Sequence, residues 1–556
     1  MFAPCELPAF WWLIPLALGT LAALLGRLAR PIPLPAIERA LDSRWAPVGA
    51  GLLTALLGFL VWGSLDQPGI YHDEIAYRLQ AEIFASGRLA GEPAPLPEFF
   101  EQYHVLVSPR LAPKYSPGHA LALVPSVWLG HLGLGPLALA GMAGGLVFVL
   151  ARRLAGRWVA ALTWILWSTA PALLSWRCSY FSQTTSTVVW LAACCGLLDW
   201  LATSRRRSLV AVAIFLGFCA ITRPLTAIAL GLPIALVVIK RLVDRRAPRE
   251  LVWPVVAAAA TVAIILPFNA AATGSPWRLP YTVYSSRYMP WDHAGFGIDA
   301  VPPEGLPPDM VQFTDFFRPI LREHTVDRLP SVFLDRTWYW AQELCATEGW
   351  NWRASLALLS LFALPVLGWA GIFALASALS LMLAHLIMPA ADYWTIYFQE
   401  AHPVLAYVNA LGVAHFVTLA AGGPHREWGE AYRTPPRNGL VMALVTGSAL
   451  IAGTVGASSV TPVLQARAAY QQQAARLFAL IPEPRAVVFV RYAPGHLVHY
   501  TLIQNPPDYR TARIWTVYDR GLDNGRLMQL APARTPYLFD ERTWSLTRLS
   551  EGNPGQ

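Results

Sequence analysis

Four adjacent residues, Tyr71-His72-Asp73-Glu74, could carry acid–base chemistry, because an imidazole stands beside two carboxyl groups. They follow an apolar run by only a few residues. The segment after them repeats apolar residues every four positions and ends near Gly87, which predicts an amphipathic helix along a membrane surface. Asp73 then stands at the helix N-terminus, where it either caps the helix or acts as a general base.

Two basic residues could hold an anion close to this helix. Lys114 precedes Tyr-Ser-Pro-Gly and an apolar run, a position that suits either anchoring at the interface or binding a phosphate. Arg223 lies between two apolar runs, on the side of the membrane where basic residues are rare. An Arg there favours an anionic partner, which is either a phosphate or a carboxylate of the protein itself.

Two later segments, 273–297 and 393–407, combine aromatic residues with polar ones. The first carries Arg287, and the second places Glu400 and His402 at the mouth of an apolar run. Aromatic side chains with a few polar groups suit the binding of a sugar or a lipid headgroup, although interfacial belts have the same composition. A carboxylate near the end of a span is the rarer feature and the more suggestive one.

The composition places these residues in a membrane protein. Of the 556 residues, 55% are apolar or aromatic and 14% are charged, whereas soluble proteins carry about 25% charged residues. The six Cys have no CxxC spacing, which argues against a metal cluster or a disulfide framework. The first apolar stretch has no basic segment before it and no clear cleavage site, so it is interpreted as a retained span rather than a signal peptide. The candidate spans are residues 9–26, 47–65, 136–152, 158–175, 183–203, 208–222, 224–240, 251–269, 353–369, 371–389, 402–420 and 439–458.

Lys and Arg cluster in five short segments between the spans, a pattern typical of cytoplasmic loops. The net charge of +8 is explained by these loops and does not indicate a nucleic-acid partner. All five loops face the cytoplasm only if the run 117–134 does not fully cross, which predicts a juxtamembrane or re-entrant helix there. The segments 66–116, 270–352 and 459–556 then lie on the opposite side. The basic clusters fall within 27–44, 152–157, 205–207, 240–249 and 426–437.

The predicted fold class is mainly α, a polytopic transmembrane helical protein of about 12–13 spans. We divide it into an N-terminal span with a cytoplasmic loop (1–46), a transmembrane catalytic domain (47–460) with external loops 66–116 and 270–352, and an extracytoplasmic α/β domain (461–556). In the last domain the pattern predicts a helix over 464–481 and strands over 486–492 and 512–519. The motif HLVHY (496–500) is interpreted as part of a packed sheet, with contact to an acceptor as the alternative.

The order of these motifs resembles the GT-C glycosyltransferase superfamily, and within it the bacterial relatives of protein O-mannosyltransferases and aminoarabinose transferases. The resemblance covers about residues 45–420. It is carried by the Asp-Glu pair in the first external loop, GRL (87–89), KYSPG (114–118), TRP (222–224), TGSPWRLPY (273–281) and QEAHPVLAY (399–407).

The resemblance implies an inverting transfer of a sugar from a polyprenyl-phosphate donor to an extracytoplasmic protein, lipid or glycan acceptor. By this likeness Asp73 is the general base with Glu74 beside it as the second catalytic candidate, and Lys114 and Arg223 hold the donor phosphate. No metal ligand is assigned, no cofactor is certain, and a divalent metal stays open. The compositional bias is typical of a GC-rich bacterial genome, so the expected location is the bacterial inner membrane with the site on its periplasmic face. The candidate substrate-binding residues are His72, Tyr115, Tyr281, Arg287, Glu400 and His402.

The chemistry fits a single carboxylate base. A glycosidase needs a second carboxyl group to protonate its leaving group, whereas a lipid phosphate leaves as a stable anion. Two rivals remain. A transporter or flippase needs ionisable residues near the bilayer midplane or two related halves, and the spans here are largely free of charge. A ligase of preassembled glycan would differ from the first hypothesis in its donor lipid.

Overall fold

The computed structural model describes residues 34–343, 359–420 and 439–549, apart from the side chains of Ala172 and Leu173. The predicted span at 9–26 and the first six residues (353–358) of the one at 353–369 lie outside these residues. The described chain is mainly helical with one small α/β unit near its C-terminal end, so the predicted fold class is confirmed.

The first half of the chain is a succession of helices interrupted by one short hairpin. These helices are α1 (Pro35–Asp42), α2 (Ala46–Trp62), α3 (His72–Ala85), α4 (Pro97–Phe100), α5 (Gly118–Trp128), α6 (Leu134–Ala155), α7 (Arg157–Ser168), α8 (Pro171–Arg177), α9 (Gln183–Thr203), α10 (Arg206–Ala220), α11 (Pro224–Asp244), α12 (Val252–Val262) and α13 (Ile265–Thr273). The hairpin pairs β1 (Val105–Leu106) with β2 (Ala112–Pro113) in antiparallel fashion.

The second half adds external helices, further spans and the C-terminal sheet. Its helices are α14 (Pro280–Tyr288), α15 (Pro308–Glu323), α16 (Leu329–Gln342), α17 (Gly368–Ala384), α18 (His402–Ala420), α19 (Gly439–Ala479) and α20 (Asn524–Leu530). Its strands are β3 (Ala486–Arg491), β4 (Ile514–Tyr518), β5 (Thr535–Asp540) and β6 (Ser545–Arg548). Short 3₁₀ turns cover Pro248–Leu251, Val326–Arg328, Ser360–Val366, His385–Ile387, Thr395–Ala401 and Gly521–Asp523.

Within the described ranges, seven helical segments are long and apolar enough to cross a membrane, or eight if the bent pair α1 and α2 forms one span. The chain is therefore an integral membrane protein. The number is lower than the predicted 12–13 partly because the apolar runs 158–175 and 208–222 fold into shorter pieces. The first breaks between α7 and α8, where Pro171 begins the second piece, and the other forms the 15-residue α10.

Helix α5 has 11 residues and a length of about 16 Å, which is too short for a hydrocarbon core of about 30 Å. This agrees with the prediction that 117–134 does not cross. Its first turn packs on the turn before α11, where the backbone N–H of Gly118 donates to the Ile221 carbonyl at 2.8 Å. A Cβ at Gly118 would lie 2.3 Å from the Thr222 hydroxyl oxygen, so glycine allows this close approach. The contact brings the segment of Lys114 next to that of Arg223.

Small residues let the spans α2 and α6 pack with their backbones close together. A Cβ on Gly51 would lie 2.7 Å from the Gly141 carbonyl oxygen, and one on Gly144 would lie 2.3 Å from the Thr54 hydroxyl oxygen. Close packing of small residues is the usual means of helix association in lipid. It fixes α2, and with it the point from which the first external loop begins.

Helix α3 has the predicted bounds but not the predicted setting. Ten of its fourteen residues are buried, so it is enclosed by the external loops rather than lying on a membrane surface with one polar face free. Gly87 follows it with φ of +77°, a conformation that glycine adopts without strain. Its side chains are covered by several elements, since Tyr77 stacks on Tyr115 and donates to Ser182, and Phe84 contacts the ring of Phe268.

The C-terminal unit is a four-stranded sheet in the order β4-β3-β5-β6, with β3 parallel to β4 and β5, and β6 antiparallel to β5. The strands predicted at 486–492 and 512–519 are confirmed as β3 and β4. The helix predicted at 464–481 is not separate, because α19 continues without a break from the span predicted at 439–458, over about 60 Å. The predicted boundary at residue 461 therefore falls inside one helix.

Both faces of this sheet are covered. The end of α19 packs on one face through Ala474 and Phe478. On the other face, Phe100 of α4 contacts the rings of Tyr509 and Trp515 at centroid distances of 4.9 and 5.2 Å. Burial on two faces explains the continuous apolar run of β3. The C-terminal unit thus packs on the first external loop.

Candidate active site

The β1–β2 hairpin brings three residues of the first external loop together. The backbone N–H of Lys114 donates to the His104 carbonyl at 2.8 Å, so the two residues that flank the hairpin are adjacent. His104 has φ of +61°, which costs about 1–3 kcal/mol for a residue with a Cβ and is common at functional sites. The side-chain amide of Gln80 on α3 donates to the Tyr115 carbonyl at 2.9 Å and ties the hairpin to α3.

Asp73 lies where these elements meet. The Tyr115 hydroxyl donates a short hydrogen bond to its Oδ1, and His104 Nε2 lies 3.8 Å from the same oxygen. His72 Nδ1 lies 3.0 Å from Oδ2. The Asp73 side chain is 32% exposed, whereas those of His72 and His104 are buried. One carboxylate is therefore accessible within an otherwise buried polar cluster.

The surroundings keep Asp73 ionised. Burial by itself raises its pKa, but His104, His72 and the Tyr115 hydroxyl outweigh that effect and hold the pKa well below its usual range. Burial and the nearby Lys114 lower the pKa of His104 well below its usual range, so His104 is neutral at pH 7. The lasting support for the charge is thus the Tyr115 hydrogen bond and the contact with His72, together with the position of Asp73 in the first turn of α3.

Glu74 has a structural task, and Asp73 is not the helix cap. Tyr71 is the N-cap residue of α3, and Glu74 reaches back over the helix start. Its Oε2 accepts the backbone N–H groups of Ile70 and Tyr71 at 2.9 and 3.0 Å, and its Oε1 accepts that of Tyr180 at 3.0 Å. The interpretation of Asp73 as a possible cap is therefore wrong, since the capping carboxylate is one residue further on.

Lys114 is buried and paired with a carboxylate. Its Nζ lies 2.7 Å from Asp292 Oδ2, and it also lies 4.7 and 5.2 Å from the ring centroids of Tyr281 and Tyr284. The Tyr281 hydroxyl donates to the other oxygen of Asp292 at 2.9 Å. An ammonium has three donors, and Asp292 accounts for one of them. The sequence did not foresee this counter-ion.

Arg223 has the carboxylate partner that the sequence left as an alternative. Its Nε lies 3.3 Å from Glu400 Oε1 and 3.1 Å from the Thr226 hydroxyl oxygen. Glu400 is fully buried and also accepts a short hydrogen bond from Ser186. Glu400 thus faces Arg223 and Ser186 inside the protein, and its predicted contact with substrate stays a prediction. Because a buried charge needs a partner, this pair has a structural explanation without any ligand.

The remaining predicted residues divide into two groups. Tyr115 and Tyr281 contact Asp73 and Lys114 through the atoms described above. Arg287 donates to the Ser108 carbonyl at 3.3 Å and lies over the Tyr288 ring. His402 is buried, with Nδ1 3.2 Å from the Gln399 carbonyl and its ring near Trp340. The contacts described for Arg287 and His402 do not join them to the Asp73 cluster.

His72, Asp73 and His104 could together hold a divalent cation, because one ligand atom from each lies within 4.8 Å of the others. Imidazole nitrogen with carboxylate oxygen is a donor set suited to zinc and similar metals. Both ring nitrogens of His72 and Nδ1 of His104 are buried without a well-oriented hydrogen-bond partner among the described residues. These orphaned nitrogens fit a metal, the point that the sequence left open.

Three residues of the site were absent from the predicted set: His104, Asp292 and His499. Asp292 stands in one of the aromatic segments singled out above, but nothing in the spacing links it to Lys114. His499 belongs to HLVHY, and its ring centroid lies 5.7 Å from that of His72. The segment 496–500 is a loop rather than the predicted part of a packed sheet. An accessible carboxylate beside a buried cation and aromatic rings can take up a proton next to a bound anion.

The fold is similar to two crystal structures of ArnT from Cupriavidus metallidurans, one bound to undecaprenyl phosphate and one in the apo state. Both have a TM-score of 0.46. The identities are 15% and 16%, and the alignments cover 90% of this chain and 91% and 94% of the ArnT chains. The cryo-EM structure of arabinosyltransferase EmbB from Mycobacterium smegmatis is similar over 84% of this chain and 44% of that chain, with 12% identity and a TM-score of 0.41.

No protein-family model matches the sequence, and no curated protein sequence matches it.

Proposed function

We propose that this protein is an inverting glycosyltransferase that takes a sugar from a polyprenyl-phosphate donor, with Asp73 as the general base. The observation that carries the proposal is the accessible, ionised carboxylate of Asp73 together with the buried Lys114, whose Nζ lies 5.5 Å from the ring centroid of Tyr115, the residue that donates to Asp73. A base that is unprotonated at neutral pH and a cation that can face a phosphate are the two groups that this transfer needs.

In the proposed reaction Asp73 takes the proton from an acceptor hydroxyl. The acceptor oxygen forms a bond to the anomeric carbon while the bond from that carbon to the phosphate oxygen breaks. The electron pair of the broken bond goes to the phosphate, which leaves as an anion without needing an acid. Lys114 stabilises the charge that grows on the phosphate, and attack from the opposite side inverts the anomeric centre.

Lys114 must then share its donors between Asp292 and the phosphate. The ammonium has donors beyond the one on Asp292, and Tyr281 and Tyr284 hold it in place through their ring faces. A role of Arg223 at the phosphate remains part of the proposal, through the atoms of its guanidinium that do not face Glu400. Transfer of a single sugar and transfer of a preassembled glycan use the same arrangement of base and cation.

The test is the consumption of donor by the purified full chain. A panel of radiolabelled polyprenyl-phosphate sugars, with mono- and oligosaccharide-loaded lipids compared, is incubated with the wild type and with Asp73→Asn. We expect the wild type to release polyprenyl phosphate and Asp73→Asn to lower turnover by about 10²–10⁴-fold, the usual contribution of a general base. Donor binding and expression of this variant should stay near wild type.

The matched control is Asp315→Asn, which removes an exposed carboxylate of α15 that pairs with Arg318. It should turn over as the wild type does. Wild-type turnover in Asp73→Asn contradicts the role of the base, and a wild type that consumes none of the lipid-linked sugars contradicts the donor class.

A further inference from the structure

The loop 493–500 of the C-terminal unit reaches the candidate active site. The ring centroid of His499, in this loop, lies 6.2 Å from that of Tyr71 and 5.7 Å from that of His72, at the start of α3. Val498 packs against the cluster around Tyr103 and Phe313. A segment more than 400 residues away in sequence thus lies beside the proposed base.

This loop is held at its base by a buried polar network. His496 Nδ1 lies 2.8 Å from Glu541 Oε1, and its Nε2 lies 3.0 Å from the Tyr500 carbonyl. The other Glu541 oxygen accepts the backbone N–H of Ala493 at 2.8 Å, and Tyr470 donates to Oε1 at 2.7 Å. Groups satisfied in this way hold a loop in one conformation, so the position of His499 is fixed by the C-terminal sheet.

His499 completes a partly exposed ring of aromatic side chains. Its centroid lies 5.2 Å from Phe316, 6.0 Å from Phe313 and 6.5 Å from Trp394. The imidazole makes no hydrogen bond to any residue that the structure describes. A neutral imidazole offers one hydrogen-bond donor and one acceptor at its two ring nitrogens.

The two oxygens of Asp73 face different surroundings. Oδ1 accepts from the Tyr115 hydroxyl and lies 3.8 Å from His104 Nε2, whereas Oδ2 lies 3.0 Å from Nδ1 of His72, whose ring centroid is 5.7 Å from that of His499. In an inverting transfer the acceptor must approach from the face opposite the leaving phosphate. If the phosphate lies at Lys114, the acceptor enters from the side of His499.

We propose that His499, Phe316 and Trp394 form the acceptor subsite, and that it takes a hydroxylated sugar ring. Flat aromatic rings can lie against the apolar face of such a ring, while an imidazole can exchange hydrogen bonds with its hydroxyl groups. Sites of this kind are apolar and aromatic with a few placed polar groups. The proposal rests on the proposed function, and it makes the acceptor a glycan or glycolipid rather than an extended peptide.

The test uses weak binding of simple probes to the full chain in phospholipid nanodiscs, since alkyl-glycoside detergents would compete for the site. Saturation-transfer NMR is recorded with methyl β-D-glucopyranoside and with a Ser/Thr-containing hexapeptide. We expect saturation of the glycoside, a loss of at least fivefold in His499→Ala, and a smaller loss in His499→Phe, which keeps the ring but not the nitrogens. The matched control is Leu497→Ala in the same loop, whose side chain is 60% exposed and which should behave as the wild type.

Saturation of the peptide alone, of neither probe, or of the glycoside equally in His499→Ala and wild type overturns the proposal. Thermal unfolding of each variant is recorded beside the NMR, and His499→Phe decides the matter if His499→Ala does not fold. Donor consumption by the same samples separates the two proposals. Donor transfer that is intact without glycoside binding overturns only the acceptor subsite, whereas glycoside binding with unaltered turnover of Asp73→Asn overturns only the proposed base.

Discussion

Asp73 is distinguished from the other acidic residues of the external loops by the partners of its two oxygens. Tyr115 donates to one oxygen and His72 lies 3.0 Å from the other, while a third of the side chain is open to a ligand. Glu74, the next residue, is fully occupied by backbone N–H groups. Two adjacent carboxylates therefore have different tasks because their surroundings differ, which is how environment assigns roles in acid–base sites.

Tyr115→Phe tests the support of the base. Without the hydroxyl donor the ionised form of Asp73 is less stable, so its pKa rises towards the ordinary value. We expect the acidic limb of the pH–rate profile to move to higher pH and kcat to fall roughly tenfold, since a hydrogen bond to a charged group is worth about 1.5–3 kcal/mol. The measurement is donor consumption from about pH 2 to 7, because the lowered pKa of Asp73 and its ordinary value of 3.8 both lie below pH 4. An unshifted acidic limb would show that Tyr115 does not act on the base.

Lys114→Ala tests the proposed phosphate contact. Loss of a charge-assisted bond of about 1.5–3 kcal/mol should raise the donor KM by roughly 10–100-fold. The control is Lys240→Ala, which removes a Lys that also has a carboxylate neighbour but is largely exposed, 2.8 Å from Asp244. An unchanged donor KM in Lys114→Ala would show that Lys114 does not bind the donor phosphate and only pairs with Asp292.

At the scale of elements, the start of α3 connects the other segments of the site. Glu74 connects the first turn of α3 to the backbone of Ile70 and to that of Tyr180 before α9. The hairpin is fixed to α3 through Gln80 and Tyr115. The carboxylate lies on α3, whereas its hydrogen-bond donor Tyr115 and the cation Lys114 are neighbours in the segment that follows the hairpin and that Gln80 joins to α3.

Glu74→Ala and Glu74→Gln distinguish a structural role of Glu74 from a catalytic one. The Ala variant leaves three buried N–H groups without an acceptor, each worth about 1–3 kcal/mol, so we expect a large fall in the thermal unfolding midpoint. The Gln variant keeps the oxygen that accepts two of them and should keep most of the activity, unlike Asp73→Asn. Loss of turnover in Glu74→Gln without loss of stability would restore Glu74 as a catalytic residue.

At the scale of the whole molecule, the C-terminal unit is joined to the membrane part by contacts on both sides of its sheet. Arg520 lies 3.2 Å from Glu101 of the first external loop, and Tyr518 donates to the buried Asp309 of α15 at 2.9 Å. Phe100 packs under the sheet. The unit is therefore part of the site's framework, because its position against the membrane part determines where the loop 493–500 lies.

The pair His496–Glu541 gives this framework a pH dependence. Burial lowers the pKa of His496, but the contact with Glu541 outweighs burial and raises this pKa above 6.5. The contribution of protonated His496 to stability is therefore complete below pH 6.5 and is lost as the pH rises through the folded-state pKa. For Glu541, burial raises the pKa while His496 and the N–H of Ala493 outweigh it, so its contribution is present above 4.5 and is lost at lower pH.

We therefore expect the stability difference between wild type and Glu541→Gln to be largest between pH 4.5 and 6.5 and to shrink above that window. Thermal unfolding of both proteins from pH 4 to 9 measures it. His496→Gln, made as the reciprocal control, should remove the same window. A difference that does not vary with pH would contradict the ion pair.

The sequence by itself determined the class of the molecule. Apolar runs and basic clusters predicted a polytopic helical protein with large external loops, since burial of backbone groups in lipid leaves helices as the answer. Local patterns also predicted α3, β3, β4 and the short helix at 117–134. Asp73, Tyr115 and Lys114 were predicted as site residues from the motifs of the first external loop and the resemblance that these motifs carry.

Only the tertiary structure decided which groups pair. Asp292 reaches Lys114 across 178 residues, Arg223 faces Glu400, and His499 comes from the far end of the chain. No periodicity encodes such contacts, because they depend on how separate elements pack around a buried charge that needs a partner. The same reason explains Glu74, whose three N–H donors come from two segments that meet only after folding.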